Sequence, residues 1–147
     1  MKRLIPPVLF LICVILMVLC RWLWPWLMVF PPPYNLWGIV SIMAGLLVGF
    51  LGVRQFRQAQ TNIHPFMEAD KLVTQGPFRY TRNPMYLGLT LVLVGVGMLL
   101  GNLSSLLGVL LFVVVADRWY IRWEERMLRK KFGPAFDAYC AATRRWF

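Results

Sequence analysis

The chain has 147 residues, 59% of them hydrophobic, and carries 16 Lys and Arg against 6 Asp and Glu. That length amounts to one domain, and its apolar runs are long enough to cross a bilayer, which excludes an ordinary soluble globule and makes the chain a polytopic membrane protein. The formal net charge of +10 would suggest nucleic acid in a soluble protein, but here the cations flank apolar runs, so they read as orientation signals and contacts to anionic membrane lipids, with no nucleic acid.

Taken in order, Met1-Lys2-Arg3 and the apolar run Leu4–Cys20 imitate a secretory signal. No small-x-small cleavage site follows, only Arg21-Trp22-Leu23-Trp24-Pro25-Trp26, which predicts a retained first helix with an aromatic belt of Trp22, Trp24 and Trp26 at the headgroup level. Pro31-Pro32-Pro33 then makes a short, stiff loop. A second span is predicted from about Leu36 to Val53, with Gly38, Ser41, Gly45, Gly49 and Gly52 on one small-residue face that lets helix backbones approach closely in lipid. Arg54 to Asn83 is the one sizeable polar connection. It holds His64, read as a loop residue because no partner lies at metal-ligand spacing. Cys13, Cys20 and Cys140 show no paired spacing and read as thiols, so no metal is expected.

The third span starts at Pro84, a residue suited to the first turn of a helix, and runs to about Gly101. A tight turn at Gly101-Asn102-Leu103-Ser104 leads into a fourth span from near Ser105. That helix should continue through Glu124-Glu125 to Lys131, where Phe132-Gly133-Pro134 stops it ahead of a short amphipathic tail. The expected fold is an all-α integral membrane protein of four transmembrane helices. Its single domain, 1–147, divides into the first two helices (1–53), a connection (54–83), a helical hairpin extending past the membrane (84–131) and a tail (132–147). Placing both ends and the connection on one side puts every Lys and Arg except Arg21 there. The positive-inside rule makes that side cytoplasmic, for an N-in/C-in protein of the inner (plasma) membrane.

The stretch Leu72 to Gly88 mixes turn formers, cations and aromatics between two apolar halves, and a chain that only spanned lipid would have little use for Arg79, Tyr80, Arg82, Asn83 and Tyr86 there. The hairpin brings it beside Asp117-Arg118 and Glu124-Glu125. On an uninterrupted helix Asp117, Ile121, Glu124 and Leu128 share one face, so carboxylates, guanidinium groups and rings converge on one pocket. Blander readings stand beside this one. Glu125–Arg129 has the spacing of an ordinary i,i+4 pair, Asp117–Arg118 that of a neutralised structural pair, and Arg122, Arg126, Arg129, Lys130 and Lys131 read as a solvated face.

These residues carry a resemblance. Leu72-Val73-Thr74-x-Gly76-Pro77-Phe78-Arg79-x-x-Arg82-Asn83-Pro84-Met85-Tyr86, followed by Glu124-Glu125-x-x-Leu128-x-x-x-Phe132-Gly133-x-x-Phe136-x-x-Tyr139, resembles the isoprenylcysteine carboxyl methyltransferase / phospholipid methyltransferase family, in particular its small bacterial members. The resemblance covers about residues 54–147. It implies a membrane methyltransferase that takes S-adenosylmethionine from the cytosol and methylates a lipophilic acceptor. The implied cofactor contacts are Leu72, Val73, Phe78, Asn83, Pro84, Met85, Tyr86 and Glu124, in a cytoplasmic cofactor pocket at the base of the third/fourth helix hairpin. Positioning carries such chemistry, so no catalytic nucleophile is implied. The sequence departs from the family at Asn83, where many members have histidine, and at Tyr120, where the eukaryotic prenylcysteine enzymes have an arginine for the substrate carboxylate. The second departure puts a prenylated-cysteine substrate in question and leaves Arg82, Arg118 and Tyr120 as substrate candidates. Two other readings compete: a nicotinamide-dependent membrane reductase of similar architecture, and a non-enzymatic membrane subunit.

Overall fold

The computed structural model describes residues 5–60 and 71–147, so the expectations placed on Met1-Lys2-Arg3 and on His64 lie outside the described residues. Among those residues every regular element is helical: α1 (Pro6–Leu23), α2 (Trp37–Gln58), α3 (Pro84–Leu100), α4 (Leu106–Val115), α5 (Arg122–Phe132) and α6 (Pro134–Ala142). A π-helical turn, Ala116–Ile121, joins α4 to α5. Pro6, Pro84 and Pro134 each open a helix, where the missing N–H would have had no intrahelical partner. Gly101 ends α3 at φ +80°, a left-handed conformation that glycine adopts without a side-chain clash.

Among the described residues three helices are long and apolar enough to cross a membrane: Pro6–Leu23, Tyr34–Gln58 and Leu103–Phe132, with mean hydropathies of 2.3, 2.2 and 1.6. Pro84–Leu100 is apolar but shorter, at 17 residues. Leu11, Ile15, Phe50 and Leu110 lie on outward faces, each more than half exposed. Such surface suits lipid and would be costly in water.

The helices meet through small residues. α3 runs antiparallel to α2, and the contact is built of paired glycines. A β-carbon on Gly38 would strike the Gly95 carbonyl oxygen, one on Gly95 would strike that of Gly38, and Gly45 and Gly88 are paired the same way. Ser41 Oγ donates to the Leu91 carbonyl at 2.8 Å between them, and Gly52 packs on Pro84 and Met85. The small-residue face foreseen for the second helix is therefore used inside the chain. Lipid tails are as apolar as leucine, so the gain comes from dispersion between backbones that only glycine lets so close.

On the other side α1 packs on α4, with Cys13, Met17 and Phe112 fully buried and Met17 lying where a side chain on Gly108 would go. At the end of the bundle remote from Glu124, Ser105 Oγ donates to Asn102 Oδ1 at 2.7 Å and Ser104 Oγ to the Trp24 carbonyl at 2.7 Å.

One boundary and one helical period differ from expectation. α2 continues past Val53 to Gln58, because Arg54, Gln55, Arg57 and Gln58 are helix formers with nothing among them to break the turn. The fourth helix runs on as predicted, but not with one period. The π turn inserts an extra residue, rotating everything after it by about 100° relative to a regular helix. Ile121 turns into the core, fully buried, as does Tyr120 at 5% exposure. The expected common face of Asp117, Ile121, Glu124 and Leu128 is therefore broken.

Gly88→Ala and Gly95→Ala should each lower stability by roughly 1–3 kcal/mol through overpacking. Gly49→Ala, whose β-carbon meets nothing within 4 Å, should stay within about 0.5 kcal/mol of the parent. Thermal unfolding in detergent micelles measures both.

Candidate active site

The site forms where the polar connection returns to the bundle. Leu72 and Val73 lead into a 3₁₀ turn at Gly76–Arg79, with Gly76 at φ +60°. The turn buries Phe78, whose ring meets that of Phe56 on α2 edge-on, with centroids 5.3 Å apart. The Tyr139 hydroxyl, from α6, donates to the Phe78 carbonyl at 2.7 Å. Burial pushes the Tyr139 phenol well above its ordinary pKa, which keeps the proton that this bond requires.

Residues 81–83 are pinned next. Thr81 Oγ1 and Asn83 Nδ2 both donate to the Arg145 carbonyl, at 3.1 and 2.9 Å. Arg82 donates through Nη1 to the carbonyls of Cys140, at 3.2 Å, and of Thr143. These lie at the C-terminal end of α6, where the helix dipole favours a cation. Its Nη2 reaches Glu125 Oε1 at 2.8 Å.

The adjacent carboxylates of α5 do different work. Glu125 is bridged on both sides, by Arg82 and by Arg145, whose Nη2 lies 2.6 Å from Oε2. Its side chain is only 13% exposed. Glu124 has no cation beside it among the described residues. It accepts one hydrogen bond at 2.7 Å, from the hydroxyl of the buried Tyr86. The Tyr86 ring in turn stacks on Tyr120, with centroids 6.3 Å apart and planes at 19°. Arg145 also reaches Asp117 at 3.3 Å, and its hydrogen bond to Glu125 raises its pKa above the ordinary guanidinium value.

All of Leu72, Val73, Phe78, Asn83, Pro84, Met85, Tyr86 and Glu124 border a single cleft, closed by Phe56, Lys71, Arg82, Glu125, Leu128, Phe136 and Tyr139. Of the three substrate candidates, Arg82 borders it too. Tyr120 sits behind the wall as support for Tyr86. Arg118 lies outside the lining, with its side chain 69% exposed and 3.9 Å from Asp117. Asp117, expected to converge on the pocket, instead faces Arg145 and accepts from Trp146 Nε1 at 3.1 Å. Nor does Glu125 pair with Arg129, which bonds Asp137 at 2.8 Å. The π turn re-aims the first of these carboxylates, and two other arginines lie closer to the second. Sequence reasoning missed the part played by Arg145. The signal available was charge balance: carboxylates on a largely apolar helix need cations, and Arg144-Arg145 lies just beyond the helix stop.

The cleft places a carboxylate with no cation beside it among the described residues, a stacked tyrosine and aliphatic and aromatic walls at one end of a helical membrane bundle, a setting suited to a cationic small molecule with an apolar part. The chain matches the family described as phospholipid methyltransferase over residues 34–135, a span that takes in every residue bordering the cleft except Phe136 and Tyr139. It belongs to that family and is a membrane methyltransferase. It is also similar to an uncharacterized protein of Haemophilus influenzae, 40% identical over 62 residues, which are 42% of this chain and 98% of that one. No solved structure matches it.

Glu125→Gln removes the charge that both arginines share, taking the carboxylate partner from Arg82 and leaving Arg145 with Asp117 alone. It should cost roughly 3 kcal/mol, read as a lowered unfolding midpoint. Arg129→Gln, which breaks a solvent-exposed pair, should leave that midpoint unmoved.

Proposed function

We propose that the protein transfers a methyl group from S-adenosylmethionine, held in this cleft, to a lipophilic acceptor that arrives from the bilayer. The observation that carries the reading is the division between the paired carboxylates. Glu125 is satisfied by two guanidinium groups, whereas Glu124, bordering the same cleft, lacks a cation among the described residues.

The residues present fit such a ligand. Glu124 would accept from its ammonium in a charge-assisted hydrogen bond. Arg82 borders the cleft, and its buried Nε–H has no partner among the described residues, a donor suited to the carboxylate. Leu72 and Val73 offer apolar surface to the adenine, and Phe78 and Met85 extend that wall. Tyr86 would orient Glu124 through its hydroxyl and offer its ring to a sulfonium by a cation–π contact. When bound, the cofactor supplies an electrophilic methyl group. The chain's contribution is then to orient it, keep water out and admit the acceptor in line. Arg82, engaged with Glu125 and the end of α6, is better suited to holding the site together than to meeting an acidic acceptor.

In this reading α3 spans the membrane beside α2, against which it lies antiparallel, giving four spans. The cation distribution supports a cleft on the cytoplasmic face of the inner membrane. The family description supports a lipid as the methyl acceptor.

Calorimetry on the purified chain with S-adenosylhomocysteine tests the reading. The parent should release heat on titration, and Glu124→Gln should weaken binding by roughly 10–100-fold, the worth of about 1.5–3 kcal/mol for a hydrogen bond to a charged group. A parent that ignores S-adenosylhomocysteine yet binds a reduced nicotinamide cofactor would be a reductase. With methyl-labelled donor and membrane lipid extract, label should pass into the organic phase; label that stays wholly in water rules out the lipophilic acceptor.

A further inference from the structure

Arg145 lies outside the cleft lining, yet it ties together three elements around the cleft. Its guanidinium meets Glu125 twice, Nε to Oε1 at 3.1 Å and Nη2 to Oε2 at 2.6 Å. Its Nη1 meets Asp117 Oδ1 at 3.3 Å. Asp117 belongs to the π turn and Glu125 to α5, so the side chain spans the place where the long helix changes register. The same residue's carbonyl accepts from Thr81 and Asn83, just before α3 begins. One rim of the cleft carries Asn83 and Tyr86, and the other carries Glu124, the direct neighbour of Glu125. Arg145 holds both rims, and Trp146 reinforces it with its own hydrogen bond to Asp117.

We propose that Arg145 is a positioning residue for the methyl-donor site: by clamping the π turn and α5 to the start of α3, it sets where the Glu124 carboxylate stands relative to the cleft. This rests on the reading of the cleft as the S-adenosylmethionine site. The chemistry gives the clamp its leverage. A guanidinium is a planar fork that engages both oxygens of one carboxylate and still reaches a second. Without it Glu125 keeps Arg82 as its cation, and Asp117 keeps the Trp146 Nε1 hydrogen bond and the exposed Arg118 at 3.9 Å. The helix persists, but a twist of α5 that slackens Glu125 moves Glu124 with it, along with the bond that Tyr86 makes.

The experiment is titration of the full-length chain in lipid nanodiscs with S-adenosylhomocysteine, alongside steady-state methyl transfer. Arg145→Met should weaken binding roughly 10-fold, the scale expected when one member of a coupled network is lost, and should raise the donor KM by the same factor while the acceptor KM stays put. Arg145→Lys, a charge without the fork, should fall between the parent and Arg145→Met. Joined to Glu125→Gln, Arg145→Met should add little, because the two act through one link. Arg126→Gln, an exposed cation on α5, serves as the parent-like control. A role in stability alone would lower the unfolding midpoint but leave the affinity of the folded fraction unchanged. Parent binding with Arg145→Met and Arg145→Lys both at parent affinity overturns the inference alone. A parent that takes up no S-adenosylhomocysteine overturns the underlying reading, and the inference with it.

Discussion

A carboxylate gripped between two guanidinium groups is the interaction on which this structure turns. Glu125 sits at the mouth of a bundle that is otherwise largely hydrocarbon, and burying its charge alone would be prohibitive. Arg82 and Arg145 resolve that problem from opposite directions in the chain, and each has a second task. Arg82 satisfies carbonyls at the end of α6, and Arg145 neutralises Asp117. The return of the polar connection, the long helix and the segment after α6 are thereby locked together around one side chain. Removing any partner leaves a buried charge or unmet carbonyls, so the cluster behaves as a unit.

That lock would be useless if the helices below it could slide. The glycine pairs of α2 and α3 prevent sliding, because backbone-to-backbone contact leaves no side-chain slack. Met17 filling the notch at Gly108 does the same between α1 and α4. In lipid, where apolar side chains gain nothing by meeting one another, such close fits are the available source of specificity. The cleft's floor is thus set by dispersion and its rim by charge.

Between the two lies a division of labour among neighbours in sequence. Glu124 and Glu125 are chemically identical and adjacent, yet a rotation of about 100° along the helix sends one to a tyrosine hydroxyl and the other to two arginines. The first borders the cleft with no cation beside it among the described residues. The second is satisfied and maintains the frame. Tyr86 and Tyr120 repeat the pattern, one bordering the cleft and the other stacked behind it.

Much of this was legible in the chain itself, for reasons that are local. Apolar runs between cations announce membrane helices, proline at Pro84 and glycine at Gly101 mark where one starts and stops, and small residues at three- and four-residue spacing announce a packing face. The residues from Leu72 to Tyr86 together with Glu124 were recognisable as a set because their order along the chain is a family pattern. What only the tertiary structure decided was every pairing between distant charges. Arg82 meets carbonyls near Cys140, Arg145 meets Glu125 and Asp117, and Glu125 ignores the Arg129 that helical spacing offered it. The one-residue insertion at Ala116–Ile121 has no signature in composition, yet it redirects Asp117 away from the cleft and buries Tyr120. Periodicity reports which face a side chain occupies on a regular helix, whereas the partner a buried charge takes depends on which cation the folded chain brings within bonding distance.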